Sequence, residues 1–244
     1  VLAFLGEAII AFGRLLRGRA GFRKGDFLQV LQEVGAQALP IVSLVSFLVG
    51  AILAFLGAVQ LRQFGAQIFV ADLVAIGMAR DMAAMRVGII LAGRTGAAFA
   101  AQLGTMQVNE EIDALATMGF SPMAFLVMPR MLALILMTPL LCIYANLMGI
   151  LGGMAVGVLA LDLSTTVYVQ QTFAAATPIF FIGGIIKATC YGIVVAVTGC
   201  LRGLQCGRSA AAVGDAATSA VVTSIVFIIL VMAVLTLVYN ALGI

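Results

Sequence analysis

The chain has 244 residues, of which 64% are hydrophobic and 9% are charged, and its formal net charge is +3. A soluble domain is about 45–50% apolar and about 25% charged, and a chain of this size cannot hide so much apolar surface in its own core. The composition therefore excludes a soluble enzyme, a disordered chain and a nucleic-acid-binding protein, and it leaves the lipid bilayer as the solvent.

Residue types and motifs that support catalysis are scarce. The sequence has no histidine, so imidazole cannot serve as a base, a proton shuttle or a metal ligand. Its four cysteines show no C-x-x-C spacing and are interpreted as small packing residues. There is no G-x-x-x-x-G-K-[ST] loop, so the chain cannot be its own P-loop ATPase. We therefore expect a protein that is not an enzyme and that binds no metal or cofactor itself.

Residues 1–33 are predicted to form an interfacial helix and a basic linker. Apolar residues recur at helical spacing over residues 1–19, and a basic cluster overlaps and follows their end: Arg14, Arg17, Arg19, Arg23 and Lys24. This pattern favours an amphipathic helix that lies on the membrane and is held by anionic lipid. The other interpretation is a poorly ordered lead-in. The order is the reverse of a secretory signal peptide, in which the basic residues come first.

Five regions within residues 34–244 qualify as membrane spans, each of which needs about 20 predominantly apolar residues. Four are cleanly apolar and lie at 38–59, 123–160, 178–200 and 217–242. The fifth, at about 72–105, is apolar but carries Arg80, Asp81, Arg86 and Arg94. The runs are continuous rather than alternating, which favours helices over strands. We therefore predict a single all-α integral membrane domain over residues 1–244.

The number of spans depends on residues 123–160, which are long for one span and contain Pro139 and Asn146. The positive-inside rule decides between five spans and six, because Lys and Arg concentrate in cytoplasmic loops. With five spans, Arg202 and Arg208 share the cytoplasm with the basic N-terminal cluster, whereas with six they face outward. We therefore predict five spans, with the N-terminus inside and the C-terminus outside.

Three glycines form a G-x-x-x-G-x-x-x-G ladder in the third span, at Gly149, Gly153 and Gly157. Small residues at every fourth position let helices approach closely in lipid. The ladder predicts close helix packing and leaves open whether the neighbouring helix belongs to the same chain.

The cytoplasmic segment between spans two and three is predicted to be a short acidic amphipathic helix at 108–119. Asn109 is the expected N-cap, and Gly119 followed by Pro122 ends the helix. The acidic residues are Glu110, Glu111 and Asp113, and the apolar stripe comprises Ile112, Leu115, Ala116 and Gly119. Anionic headgroups would repel these acids, so the helix suits a groove on a soluble partner better than the membrane surface.

Charged residues inside a membrane are costly, so they face protein or a cavity and are paired. Arg80 and Asp81 lie at nearly the same depth in the second span as Lys187 does in the fourth, counted along the helices. We therefore predict a buried charge cluster in which Asp81 pairs with Lys187 and Arg80 lies beside them. Three roles remain open: a structural ion cluster, a headgroup or gating site, and a proton relay. Arg94, nearer the inner face, is expected to extend to the headgroups or to cap the 108–119 segment.

Seven stretches of the chain form a recognisable pattern: Gln63–Ala66, Val70–Leu73, Arg80-Asp81-Met82, Ala92–Ala98, Ala101–Met106, Asn109–Leu115 and Met128-Pro129-Arg130. Together they resemble the MlaE/YrbE permease family, the membrane subunits of MCE-type ABC lipid transporters. The resemblance covers nearly the whole chain and is most specific at 80–130. This chain departs from the family pattern where it has Asp81 in place of a common Glu, and Gln102 in place of another.

The resemblance implies a homodimer of permease subunits in a bacterial inner membrane, with a cytoplasmic N-terminus and a periplasmic C-terminus. A cytoplasmic ABC ATPase dimer, which binds the ATP and Mg²⁺, would grip the coupling helix at 108–119. The expected coupling residues are Asn109, Glu110, Glu111, Ile112, Asp113, Leu115 and Ala116. A periplasmic ring of MCE domains would receive or deliver phospholipid. The resemblance also implies a charged set at Arg80, Asp81 and Lys187.

The first hypothesis is therefore an ABC permease subunit that moves phospholipid between the inner membrane and an MCE-protein carrier. An apolar cavity between two copies of the chain, lined by spans one and five, suits acyl chains. Its expected lipid-binding residues are Leu48, Ile52, Phe55, Leu56, Val231 and Leu235. The alternatives are an ion-coupled secondary transporter or channel that uses Asp81 and Lys187, and a membrane anchor for a periplasmic ring.

Overall fold

A computed structural model describes residues 2–16 and 24–242, and within these residues the chain forms helices and no strand. The α-helices are α1 Leu2–Leu16, α2 Lys24–Val34, α3 Leu39–Arg62, α4 Val70–Gly77, α5 Ala83–Leu91, α6 Ala97–Val108, α7 Glu111–Thr117, α8 Met128–Leu161, α9 Thr165–Ala175, α10 Pro178–Leu204 and α11 Ala210–Ala241. The all-α prediction is thus confirmed. Arg17, Arg19 and Arg23 of the predicted basic cluster lie outside the described residues.

Four helical segments are long and apolar enough to cross a membrane. They are Gly25–Arg62, Met123–Leu161, Pro178–Leu204 and Ala210–Ala241, and each coincides with one of the four cleanly apolar regions of the sequence to within one residue or extends beyond it. Met123–Leu161 is one uninterrupted helical segment, with Pro139 inside α8. The residues that could have divided it therefore do not do so.

The charged fifth region is also helical, from Val70 to Val108, but two of its turns depart from the regular α-helix pattern. Wider π-helical turns at Met78–Met82 and Ala92–Gly96 separate α4, α5 and α6. A further π-helical turn, Met123–Val127, precedes α8. Pro129 lacks the N–H that a regular α-helix would donate to the Phe125 carbonyl, which accounts for the widening there.

Two helices were not predicted from the sequence. Helix α2 occupies the supposed basic linker, and α9 occupies the loop between spans three and four. Ser164 precedes α9 with extended backbone angles typical of an N-cap residue. Helix α9 packs against α4 and buries Tyr168 almost completely.

The chain divides into two compact units, which are considered separately. The first unit comprises Val1–Gln37, Gly88–Met137 and Gly192–Leu230. The second unit comprises Ala38–Val87, Thr138–Tyr191 and Val231–Ile244. Helices α8, α10 and α11 each contribute residues to both.

Glycines bring the helices of the second unit into backbone contact. A methyl group at Gly50 of α3 would collide with the carbonyl oxygen of Gly149 in α8. A methyl at Gly153 would lie 2.7 Å from both the Tyr168 hydroxyl and a Val74 methyl. The glycine ladder therefore packs against helices of its own chain, which answers the question that the sequence left open.

The first unit uses the same device where α10 packs against α6 and against the π-helical turn before it. A methyl at Gly199 would lie 2.9 Å from the Gly96 carbonyl oxygen, and one at Gly203 would lie 3.0 Å from that of Ala100. Nearby, the buried hydroxyls of Thr198 and Ser224 are 2.5 Å apart and join α10 to α11. Small residues thus fix the spacing of the helices that carry the candidate sites.

Candidate functional site

The predicted charge cluster is present in the second unit. The Lys187 side chain has no solvent exposure, and its Nζ contacts Oδ1 of Asp81. The same Nζ donates to Oγ1 of Thr236 at 3.3 Å. Arg80 lies beside the pair, with its Nε 3.9 Å from Oδ2 of Asp81. The pairing that helix depth predicted is therefore confirmed, whereas the role of the cluster stays a prediction.

Aromatic rings complete the surroundings of the cluster. Lys187 Nζ lies 4.9 Å from the ring centroid of Tyr239, and Arg80 Cζ lies 5.9 Å from that of Phe180. Both distances are within the range of cation–π attraction. The side chains of Arg80 and Asp81 are 31% and 22% exposed. The cluster has a formal charge of +1. Solvent does not reach its lysine but does reach its arginine.

Backbone packing brings the two halves of the cluster together. The π-helical turn Met78–Met82 carries Arg80 and Asp81. Gly184 of α10 lies so close to this turn that a methyl group there would collide with the Ala79 carbonyl oxygen. Lys187 is one helical turn further along α10, so this contact places its ammonium group on Asp81.

The remaining arginines of the charged region have separate partners. In the second unit, Arg86 is 8% exposed and donates to the Met82 carbonyl oxygen at 3.0 Å and to Sδ of Met78 at 2.9 Å. In the first unit, Arg94 donates from Nη2 to Oε1 of Gln37 at 2.9 Å and from Nη1 to the Glu33 carbonyl oxygen at 3.4 Å. The expectation that Arg94 caps the 108–119 segment is therefore wrong. Its partners are Glu33 of α2, a helix that the sequence analysis missed, and Gln37 in the short 3-10 turn that follows α2.

The departure at Gln102 has a structural counterpart in the first unit. Arg130 donates from Nη2 to Oε1 of Gln102 at 3.4 Å, and its guanidinium lies 5.8 Å from the Phe99 ring centroid. Gln102 also lines a polar cavity of about 230 Å³ with Glu33, Gln37 and Arg94. The Gln102 amide therefore accepts a hydrogen bond from Arg130. The glutamate common at this position in the family could do the same and would add a negative charge.

The coupling helix is shorter than predicted. Helix α7 runs from Glu111 to Thr117, and Asn109 ends α6 instead of capping α7. Glu110, between the two helices, has left-handed backbone angles with φ of 60°. The chain therefore makes a sharp turn at Glu110, and the N-cap assigned to Asn109 is wrong. Gly119, with φ of +83°, stops the helix as predicted.

The surface of this segment differs from the predicted apolar stripe. Ile112 is 7% exposed and packs within the chain, Leu115 is half-buried, and Ala116 is exposed. The large apolar side chains left at the surface are Met118, 63% exposed, and Phe120, 55% exposed. Both lie outside the predicted stripe, and no feature of the sequence marked them as the exposed apolar residues of the segment.

The acidic residues of the segment have a basic neighbour from another loop of the first unit. Arg208, in the turn between α10 and α11, lies 3.5 Å from Asp113 and 4.0 Å from Glu110. Asn109 donates to Oε1 of Glu111 at 3.1 Å. All these side chains are exposed, so the pairs orient the loop more than they stabilise it.

The expected lipid-binding residues all belong to the second unit. Leu48, Ile52, Phe55 and Leu56 are each about half exposed or more on α3, and Val231 and Leu235 on α11 are half-buried. Their exposure leaves them free to contact lipid or a second protein surface. Their role as cavity residues stays a prediction. Among the described residues, no group of three acidic or cysteine side chains is arranged to hold a metal ion.

Four long apolar helices and a charge cluster buried in the second unit define a multi-pass helical membrane protein. The family described as Permease MlaE matches residues 27–238, and the chain belongs to this family. The match confirms the resemblance that the 80–130 region carries.

Named relatives agree with this assignment. A probable ABC transporter permease protein of Rickettsia prowazekii is 37% identical over 203 residues, which cover 83% of this chain and 78% of the relative. The intermembrane phospholipid transport system permease protein MlaE of Haemophilus influenzae is 30% identical over 237 residues, which cover 91% and 90%. The chloroplastic protein TRIGALACTOSYLDIACYLGLYCEROL 1 of Arabidopsis thaliana is 30% identical over 213 residues, which cover 87% and 60%.

Proposed function

We propose that this chain is the permease subunit of an ATP-driven ABC transporter that moves phospholipid between the inner membrane and a periplasmic MCE-protein carrier. The observation that carries the proposal is the family match over residues 27–238. The relatives named for ABC transport and for intermembrane phospholipid transport support it. In this scheme a separate cytoplasmic ATPase dimer binds ATP and Mg²⁺, and this chain contributes no catalytic residue.

The proposed topology has five spans, the second of which is the helical region from Val70 to Val108. Its charges are compatible with a place inside the membrane because Asp81 is paired with Lys187, and Arg86 and Arg94 have acceptors. An even number of membrane spans would put the two ends of the chain on the same side of the membrane. Five spans instead place the N-terminus in the cytoplasm and the C-terminus in the periplasm, with α1 as the interfacial helix.

The proposed contact with the ATPase is the segment from Asn109 to Phe120. It combines exposed acids with the exposed side chains of Met118 and Phe120. An apolar anchor surrounded by charge suits a groove on a soluble protein. Movement of this segment, driven by ATP binding and hydrolysis in the partner, would be transmitted to the spans through α6, which α7 contacts.

The proposed assembly is a homodimer under a periplasmic ring of MCE domains. Phospholipid is held in an apolar cavity formed with spans one and five, where Leu48, Ile52, Phe55 and Leu56 expose apolar surface. Such side chains suit acyl chains, and a few polar groups nearby would orient the headgroup. The cluster of Arg80, Asp81 and Lys187 is the candidate for those polar groups.

Reconstitution of the complex tests the proposal. The chain, its ATPase and its MCE protein are placed in vesicles that contain an isotope-labelled phospholipid. We expect labelled lipid to appear on the MCE protein, or to leave it, only when ATP is hydrolysed, and an ATPase variant without hydrolysis serves as the control. Lipid movement that follows an ion gradient and ignores ATP would overturn the proposal and favour the ion-coupled alternative.

A further inference from the structure

An apolar groove of about 520 Å³ lies in the first unit along the last turns of α10. Its apolar floor includes Ile193, Val194, Val197 and Leu201 of α10 and Phe227 of α11. Its far end is polar and is formed by Arg202, Gln205 and Thr223. The volume is within the range of about 300–1,000 Å³ that small-molecule sites occupy.

A second apolar groove of about 350 Å³ shares two of these residues, Ile193 and Val197. Its other lining residues come from α1 and α8, among them Phe12 and Met131. Ile193 and Val197 are one turn apart on α10, and Ile193 is 42% exposed. They therefore form a ridge with an apolar groove on each side.

The polar end of the first groove carries the guanidinium group of Arg202, which is held by a hydrogen bond. Arg202 donates from Nη2 to Oγ1 of Thr223 at 3.2 Å, and Thr223 in turn donates to the Ser219 carbonyl oxygen at 2.6 Å. Among the described residues, no acidic side chain lies within 4.0 Å of Arg202. Asp215 is further away and lines an adjoining polar cavity with Arg202. The guanidinium group is therefore fixed in direction and keeps donors for an anion, for which its planar fork is suited.

The order of these features along α10 matches one leaflet of a bilayer. From Ile193 to Arg202 the helix rises about 13 Å, at about 1.5 Å per residue. The helix is apolar at the groove from Ile193 to Leu201. The charged side chain of Arg202 follows, close in sequence to the turn that contains Arg208. A ligand that matches this order has two apolar tails and one anionic group.

We propose that a diacyl phospholipid binds here, with one tail in each groove beside the Ile193–Val197 ridge and its phosphate at Arg202. The ligand class rests on the proposed function. In the proposed topology this lipid belongs to the cytoplasmic leaflet. None of its residues is among the expected cavity residues of spans one and five, and it gives the permease a place to hold lipid on the inner side of the membrane.

Photo-labelling of the whole transporter tests this site. The complex is placed in vesicles of phosphatidylethanolamine and phosphatidylglycerol that include a phosphatidylglycerol with a diazirine on one acyl chain. After irradiation, adducts are mapped by mass spectrometry. We expect adducts on the α10 segment 193–201, and Arg202→Gln should reduce them about tenfold, the size of one charge-assisted hydrogen bond. Arg202→Lys should retain part of the labelling.

Matched controls separate the site from general contact with lipid. Arg62→Gln removes an exposed arginine at the end of α3, far along the chain, and should leave the α10 adducts unchanged. Val197→Trp should reduce them by filling both grooves while Arg202 stays intact. If Val197→Trp fails to assemble, the Arg202→Gln and Arg62→Gln pair still decides.

Three results would overturn the site. The first is equal labelling of all exposed apolar faces with no effect of Arg202→Gln. The second is a disulfide between two copies carrying Phe227→Cys, which would show that a second chain covers the groove. The third is ATP-driven lipid transfer without α10 labelling. Labelling that depends on Arg202 in a complex without ATP-driven transfer would instead overturn the proposed function and leave the lipid site standing.

Discussion

Lys187 is tightly enclosed by the groups around it. Its ammonium group is fully buried and contacts a carboxylate, a hydroxyl and an aromatic ring. Removal of the acid would leave the buried Lys187 cation without a counter-charge. Removal of both charges of the pair leaves a packing change and the partly exposed Arg80, whose charge reaches solvent. The cluster can therefore be dissected by comparing single and double substitutions.

Asp81→Asn should lower the free energy of unfolding by about 3–5 kcal/mol, because it leaves Lys187 buried without an acid. The double variant Asp81→Leu with Lys187→Met should recover most of that loss. Thermal unfolding followed by circular dichroism measures both. If the double variant is stable and still transfers lipid, the cluster is structural. If it is stable and inactive, the charges act on the transported molecule or in gating.

At the scale of helices, glycine contacts make a sharp prediction for the second unit. Gly50→Ala should destabilise the protein by about 1–3 kcal/mol, since its methyl group would meet the backbone oxygen of Gly149. Gly77→Ala is the matched control, because a methyl at Gly77 of α4 has no neighbour within 4 Å. It should be neutral or stabilise by up to about 1 kcal/mol. Equal effects of the two variants on thermal unfolding would contradict the packing described.

The loop helix is tested by a second matched pair. Met118→Asp removes an exposed apolar anchor and should weaken association with the ATPase about tenfold, since a buried Met side chain contributes about 1.5–3 kcal/mol. Thr117→Asp adds the same charge one residue earlier without removing an apolar side chain and should have a smaller effect. Co-purification of the ATPase with each variant gives the answer. Full association of the Met118→Asp complex would exclude Met118 as a contact.

Sequence patterns predicted the apolar helices well because length and hydrophobicity depend on the chain alone. They also predicted the pairing of Asp81 and Lys187, because depth along a span follows from a residue count. They did not predict α9, which packs against α4, or the partners of Arg94, which lie in α2 and in the turn after it. They did not predict the π-helical turns either. Each such turn contains one extra residue, so the residues after it point to a different face of the helix than a regular α-helix would give.

For the whole molecule, the five-span topology can be measured by cysteine labelling. The native cysteines are buried or half-buried and would be replaced first. A cysteine at Phe64, which is 80% exposed, should react with an impermeant reagent added outside intact cells. A cysteine at Ser209 should react only after the membrane is opened. Reaction at position 209 from outside would indicate six spans.

The ion pair between Asp81 and Lys187 also bears on how the chain enters the membrane during its synthesis. The two residues are 106 positions apart, and the acid is made first. A helix with a lysine near its middle enters lipid at a cost of about 2.5–3.5 kcal/mol for that residue when it is alone. Because the helix that carries Asp81 is already present, the fourth span can be inserted with the partner of Lys187 beside it. Insertion of α10 should therefore depend on the presence of the earlier helices, so that the order of translation itself protects the lysine from bare lipid.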